Sequence, residues 1–299
     1  MMQNPTNNRK ALQTGLQAVA LWSTVATAFK LSLEYTSALT LVTVASIVSW
    51  LFFASIITWR KEWVSITQLP RQAIGLSLVM GLLNPALYYL VLFMAYERLP
   101  AQEIMAINYT WAIVQPLLAA PLLKQRLRPT ELLAALVSYA GVFVIATRGQ
   151  PFSFQISDAL GLGLALSTTL IWALFWIANT ANTLDPIQRL FLNFTGATPT
   201  LIAACFIQDG FNELNWQGIL GGAYIGFFEM GLSFVIWLKA LRLSSSTVKL
   251  STLVFLSPPV SLVFIWLILG ETILMATAVG LLLILMGLSL QHLRSTADS

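Results

Sequence analysis

One carboxylate, Glu229, sits in the middle of a stretch from Leu214 to Leu238 that carries no other charge and is long enough to cross a bilayer. A charge at that depth costs roughly 2.5 kcal/mol or more unless it meets a wet cavity or a partner, so its position asks for a reason. Two kinds of chemistry supply one: pairing with a cationic group of a ligand, or taking up and releasing a proton during a transport cycle. A carboxylate satisfied by a buried hydrogen bond is the structural alternative. Counting about 3.6 residues per turn predicts Gly222, Gly226, Ser233 and Trp237 on the same side as Glu229, a small and polar face that points inward.

Other apolar runs carry comparable stripes. Ser23, Thr27, Lys30 and Glu34 share a face with Trp22 beside it; Lys30 is placed either to pair with Glu34 one turn on or to snorkel from a helix end. Asn84 precedes Pro85, with Tyr88 one turn later, where a proline frees a backbone carbonyl. Asn108, Trp111 and Gln115 fall on one face of a run containing Asn108-Tyr109-Thr110-Trp111, and Thr168, Trp172, Trp176 and Asn179 recur at helical spacing. Ser257 stands before a Pro258-Pro259 pair. Deep tryptophans offer stacking surfaces and cation–π contact to an ammonium group, whereas Trp59, Trp63 and Trp216 at run ends read as interfacial anchors. The candidate substrate-binding set is therefore Trp22, Asn84, Tyr88, Asn108, Trp111, Thr168, Trp172, Glu229, Ser233, Trp237 and Ser257, with Glu229 also the candidate for proton coupling.

The chemistry missing from the chain narrows the field further. The one histidine, His292, lies near the C-terminus and the one cysteine, Cys205, lies inside an apolar run, which argues against a histidine-based catalytic site, a metal centre or a disulfide framework. There is no phosphate-binding glycine loop and no nucleophile elbow, so an ATP-driven pump, a cofactor enzyme or a hydrolase is not expected.

The elements that must hold these residues are membrane helices. Hydrophobic residues make up 57% of the 299 and charged residues only 9%, with a mean hydropathy of +0.78; a soluble domain carries about 25% charged residues. Runs that cross or nearly cross a hydrocarbon layer of roughly 30 Å recur at 11–29, 35–59, 72–96, 104–123, 132–147, 159–184, 190–208, 214–238, 250–270 and 272–293, which predicts ten transmembrane helices. Arg9-Lys10 leads into a first run without a small-x-small cleavage site, so that run reads as a helix and not a leader. With the N-terminus inside, 13 basic residues fall on the cytoplasmic side and only Lys30, Arg98 and Arg148 opposite. The net charge of +4 is thus topology and not a nucleic-acid patch.

Ala95–Gly149 and the stretch from Ala240 to the end share an Arg-Leu step (Arg98-Leu99, Arg242-Leu243), central prolines (Pro116, Pro258) and a late glycine (Gly141, Gly287). Five helices per half follow, at 1–149 and 158–299 joined by 150–157; because five is odd, the second half enters the membrane inverted. Gly161, Gly163, Gly221, Gly222, Gly226, Gly231, Gly280 and Gly287 read as positions of close helix packing.

Several segments together resemble the drug/metabolite transporter superfamily, in its ten-helix EamA-type branch. They are Leu21-Trp22-Ser23-Thr24, Asn108-Tyr109-Thr110-Trp111, Ile171-Trp172-Ala173, Phe228-Glu229-Met230-Gly231 through Trp237-Leu238-Lys239-Ala240-Leu241, and Ser257-Pro258 followed by Leu269-Gly270-Glu271. The resemblance implies a secondary carrier of the bacterial inner membrane, working as a monomer or homodimer in the lipid bilayer. It implies a central cavity between the first, third, fourth, sixth, eighth and ninth helices. Export of a small-molecule substrate by alternating access, an amino acid or related zwitterionic or aromatic metabolite, is the expected function, and proton-coupled export of lipophilic cationic drugs is the alternative.

The expected topology puts both termini in the cytoplasm. In a Cys205→Ser background, an impermeant thiol reagent on intact cells is expected to label a cysteine at Ser153 and to miss one at Asn8 or Ser295; the reverse pattern overturns the orientation.

Overall fold

A computed structural model describes residues 5–122, 129–150, 158–179, 184–212, 214–244 and 252–295. All regular secondary structure among them is helical. Long uninterrupted apolar runs suit helices in lipid, where a helix satisfies its backbone by hydrogen bonds within its own segment.

The first apolar run forms α1 (Pro5–Ser23) and α2 (Val25–Leu33), offset by a break at Thr24, and α3 (Ala38–Trp59) follows, capped by the Ser37 side chain. A short α4 (Trp63–Thr67) leads to α5 (Arg71–Gly81) and α6 (Tyr88–Arg98), separated by the kinked Leu82–Leu87 segment where Asn84 leaves helical geometry before a cis Pro85. The fourth predicted run is cut at Tyr109-Thr110 into α7 (Ala101–Asn108) and α8 (Trp111–Leu122), and α9 is Pro129–Ala146. Then come α10 (Ala159–Asn179), α11 (Pro186–Ile207), α12 (Trp216–Tyr224), a π-helical Ile225–Leu232 and α13 (Ser233–Leu243). The last elements are α14 (Ser257–Phe264), prolonged by the wide turn Ile265–Leu269, and α15 (Met275–Ser295).

Among the described residues, six helical spans are long and apolar enough to cross a membrane: Arg9–Leu33, Ala38–Trp59, Arg71–Arg98, Ala159–Ala178, Pro186–Ile207 and Trp216–Leu243. Three shorter apolar helices, Leu132–Ala146, Ser257–Leu269 and Met275–Leu290, accompany them. The chain is therefore a multi-pass membrane protein. All of the expected joint 150–157 except Gln150, together with the charged turn Lys124–Arg128 and Lys249, lies outside the described residues.

Packing partners come in matched sets. α3 lies against α11, and α9 runs along α15. α1 packs on α13 as α10 packs on α6, while α12 lies on α3 as α5 lies on α11. Glycines permit the last two approaches: a Cβ on Gly81 would overlap the Asn193 carbonyl oxygen, and one on Gly226 would overlap the Ala45 carbonyl oxygen. Gly222 meets Val44, so Gly222 and Gly226 spend their small face on α3, as close-packing positions do.

Ionisable side chains close the helix ends. Lys30 Nζ donates to the carbonyls of Tyr96 (2.6 Å) and Leu99 (3.1 Å), satisfying the end of α6, a partner that neither the snorkelling reading nor the Glu34 pair supplies. Glu271 accepts from the Ala101 and Gln102 amides at 2.8 and 3.3 Å, capping α7 one residue past the same turn. Glu97 accepts from the Ala38 amide at the start of α3 (2.9 Å), and Asp185 caps α11 through the Ile187 amide (2.9 Å) while pairing with Arg242 at 3.0 Å. Asp158 takes the Gly161 amide at the start of α10 and Arg98 at 2.9 Å; the amide bond first, then the arginine, hold its carboxyl below the usual range.

Overpacking a backbone contact costs about 1–3 kcal/mol. Gly81→Ala and Gly226→Ala are each expected to lower the thermal unfolding temperature in detergent. Gly163→Ala, with no heavy atom within 4 Å of the added Cβ, is expected to leave it unchanged or raise it.

Candidate functional site

The kink before α6 sets Tyr88 and Tyr89 side by side, ring centroids 4.8 Å apart, facing different neighbours. The Tyr88 hydroxyl donates to Asn108 Oδ1 at 3.4 Å, and Asn108 Nδ2 donates to Thr168 Oγ1 at 2.8 Å. One polar chain thus ties α6, the end of α7 and α10 together. Thr168 hydrogen-bonds back to the Ala165 carbonyl, which fixes its hydroxyl as the acceptor.

One turn along α10 from Thr168, Trp172 centres an aromatic wall. Its ring lies 4.6 Å from Tyr88, 6.1 Å from Trp111 and 6.0 Å from Trp176. The break at Tyr109-Thr110 is what starts α8 at Trp111 and sets that ring against Trp172. Facing elements supply a second wall, with Trp22 of α1 5.3 Å from Trp237 and 6.4 Å from Phe234 of α13. Ser23 donates to the Val19 carbonyl at 2.8 Å and to Ser257 at 3.3 Å, joining α1 to α14.

Between these walls is a cavity of about 530 Å³. Its size suits a small organic ligand, for which pockets run from about 300 to 1,000 Å³. Among the described residues that line it, the charged ones are Arg189 and Glu229. Glu229 Oε1 accepts from the Tyr89 hydroxyl at 3.2 Å, and the buried Oε2 atom has no hydrogen-bond partner among the described residues. A smaller side pocket of about 40 Å³ adjoins the cavity, and Trp176, Arg189, Phe234 and Leu238 line both.

The sequence profile of the EamA-like transporter family matches residues 9–147 and again 159–291. The chain belongs to this family. Its similarities include an uncharacterized transporter, YvbV, of Bacillus subtilis, 26% identical over 225 residues that cover 74% of this chain and 72% of the relative. The aromatic amino acid exporter YddG of Ancylobacter novellus is 27% identical over 154 residues, half of this chain and 53% of that exporter. One solved crystal structure covers 97% of the chain and 99% of its own with a TM-score of 0.66 at 23% identity, a likeness of fold.

In this EamA-like chain the structure brings Trp22, Tyr88, Asn108, Trp111, Trp172, Glu229, Trp237 and Ser257 around the larger cavity. Asn84 lines the side pocket instead. Thr168 and Ser233 sit behind the lining, Ser233 donating to the Glu229 carbonyl. The π-helical turn explains why Gly226 and Glu229 do not share the face that regular counting predicts, since an i→i+5 turn adds a residue and rotates the rest of the helix about its axis. Sequence reasoning passed over Tyr89, the partner of Glu229, and counted Arg189 as a topology charge at a helix end.

These placements are open to labelling. In the Cys205→Ser background, cysteines at Val25 and Ala112, which line the cavity, are expected to react with a small hydrophilic methanethiosulfonate, whereas cysteines at the enclosed Thr168 and Ser233 are expected to stay protected. Equal reaction at all four positions contradicts these cavity walls.

Proposed function

We propose that this EamA-like protein is a secondary carrier that exports small zwitterionic metabolites, aromatic amino acids among them, across the bacterial inner membrane. The observation that carries the reading is the cavity itself: aromatic walls of a size for one small ligand, with a carboxylate, Glu229, in the lining whose buried second oxygen has no partner among the described residues. Indole and phenol faces attract an ammonium group and stack on an apolar side chain, and Glu229 completes the cation site. The name of the YddG relative agrees with an aromatic substrate.

The transport cycle we propose uses ten helices in two inverted five-helix halves, 1–149 and 158–299, with both termini cytoplasmic. Two findings support it: the family profile matches twice, and the packing pairs map onto one another when each helix of the first half is exchanged for its counterpart in the second. Halves related in that way rock about a site between them and open it to each side in turn. Glu229 is the group placed to couple that motion to a proton.

The test is reconstitution into proteoliposomes, with labelled L-phenylalanine as substrate and tetraphenylphosphonium as a lipophilic-cation competitor. The parent is expected to exchange phenylalanine and to accumulate it against an imposed proton gradient. Glu229→Gln is expected to keep exchange and lose accumulation if Glu229 carries the proton, and to lose both if it pairs with the ammonium. Transport of tetraphenylphosphonium and not phenylalanine favours the lipophilic-cation alternative; a Gln variant matching the parent in both assays makes Glu229 structural.

A further inference from the structure

Glu229 accounts for the positive end of a zwitterion and leaves the negative end without a site. Three donors lie where such a site is needed. The indole nitrogens of Trp172 and Trp176 are buried, have no hydrogen-bond partner among the described residues, and belong to rings that line the cavity. An indole N–H can only donate, so each calls for an acceptor that its surroundings do not provide. Arg189 is the basic residue of the lining and shares the junction of cavity and side pocket with Trp176.

We propose that Arg189 and the indole N–H of Trp176, at the junction of the cavity with its side pocket, form a carboxylate-binding subsite to which the indole of Trp172, its ring 6.0 Å from that of Trp176, adds a further donor. The guanidinium fork matches the two oxygens of a carboxylate, and the indoles add neutral donors that do not bring further charge. The neighbourhood fits an α-amino acid, whose two charged groups sit on one carbon and need adjacent partners. Tyr89, which holds Glu229, lines the same side pocket as Trp176 and Arg189, so the acceptor for the ammonium and the donors for the carboxylate meet around one corner.

Asp185, one turn before Arg189 on α11, divides its charge among several groups: it accepts from the Ile187 amide, pairs with Arg242 and lies 3.9 Å from Arg60. A guanidinium carries five N–H donors, so Arg189 can keep contacts within the protein and still meet a ligand. Glu229 also sets the selectivity: a ligand carrying a carboxylate without an ammonium brings like charge into the same corner. The subsite thus turns a cation-accepting aromatic box into one that discriminates amino acids from their decarboxylated amines.

The subsite rests on the carrier reading, and the experiment separates the two. Binding of L-tryptophan, tryptamine and indole-3-propionate is measured on the purified full-length protein by scintillation proximity or calorimetry. The parent is expected to prefer L-tryptophan to tryptamine by about tenfold or more, the scale of a hydrogen bond to a charged group. Arg189→Gln is expected to remove that preference by weakening L-tryptophan roughly tenfold while tryptamine changes little, with Arg189→Lys restoring part of it. Trp176→Phe keeps the ring and deletes the N–H; it carries the same readout should the Arg189 variants not fold, and is expected to weaken L-tryptophan selectively. An unchanged ratio of L-tryptophan to tryptamine in Arg189→Gln and Trp176→Phe, whether through equal loss or no loss, overturns the subsite alone. Failure of the parent to bind any of the three probes overturns the zwitterion reading and the subsite with it.

Discussion

Lipid cannot hydrogen-bond, so every polar group placed at membrane depth has to find its partner inside the protein. That demand explains where this chain spends its few charges. Lys30 closes the last carbonyls of α6, Glu271 closes the first amides of α7, and the two together brace the Leu99-Pro100 turn from both sides. Lys30 comes from the first half of the chain and Glu271 from the second, so the brace also joins distant parts of the sequence. Remove such caps and a helix end in an apolar surround keeps unpaired backbone groups, at about 1–3 kcal/mol each.

The closest backbone approaches and the cavity are built by different residues. Gly81 and Gly226 bring α5 onto α11 and the segment after α12 onto α3 until backbones touch, which leaves no room for a ligand on those sides. Aromatic side chains of α10 and α8 on one side and of α1 and α13 on the other line the cavity. The breaks at Asn84, Tyr109-Thr110 and Ile225–Leu232 all lie beside this space, where backbone irregularity can be met by side chains and water.

Apolar runs translate readily into helices, which is why the six spans found among the described residues were legible in the sequence: the same residue composition that lipid requires is the signal itself. Much of the cavity was legible too, because Trp, Asn and Glu at membrane depth are rare and each costs something to keep there. Periodicity could not supply facing and partnership. The face of Glu229 slips across a π-helical turn that no local pattern announces. Lys30 has a plausible neighbour in Glu34 by spacing, yet the carbonyls of α6 claim it, a contact across more than sixty positions of sequence. Arg189 looks like a positive-inside charge and lines the cavity because of where the bundle sets the first turn of α11, which depends on how that helix packs on α3 and α5.

A carrier has to bind its ligand and let it go from both sides, and that favours a site completed by the ligand over one completed by the protein. In the site proposed above, the buried polar atoms without partners among the described residues, Glu229 Oε2 and the nitrogens of Trp172 and Trp176, are costly when it is empty and would be satisfied when it is loaded. Each raises the free energy of the unloaded cavity relative to the loaded one without tightening the ligand's grip through surface area. Tyr89 matters in the same balance: by giving Glu229 one hydrogen bond and not two, it keeps the carboxylate in place while leaving its second oxygen for whatever arrives. If the Tyr89 hydroxyl were absent, both oxygens would compete for the same donor, and the site would gain appetite for a cation while losing the orientation that distinguishes one cation from another.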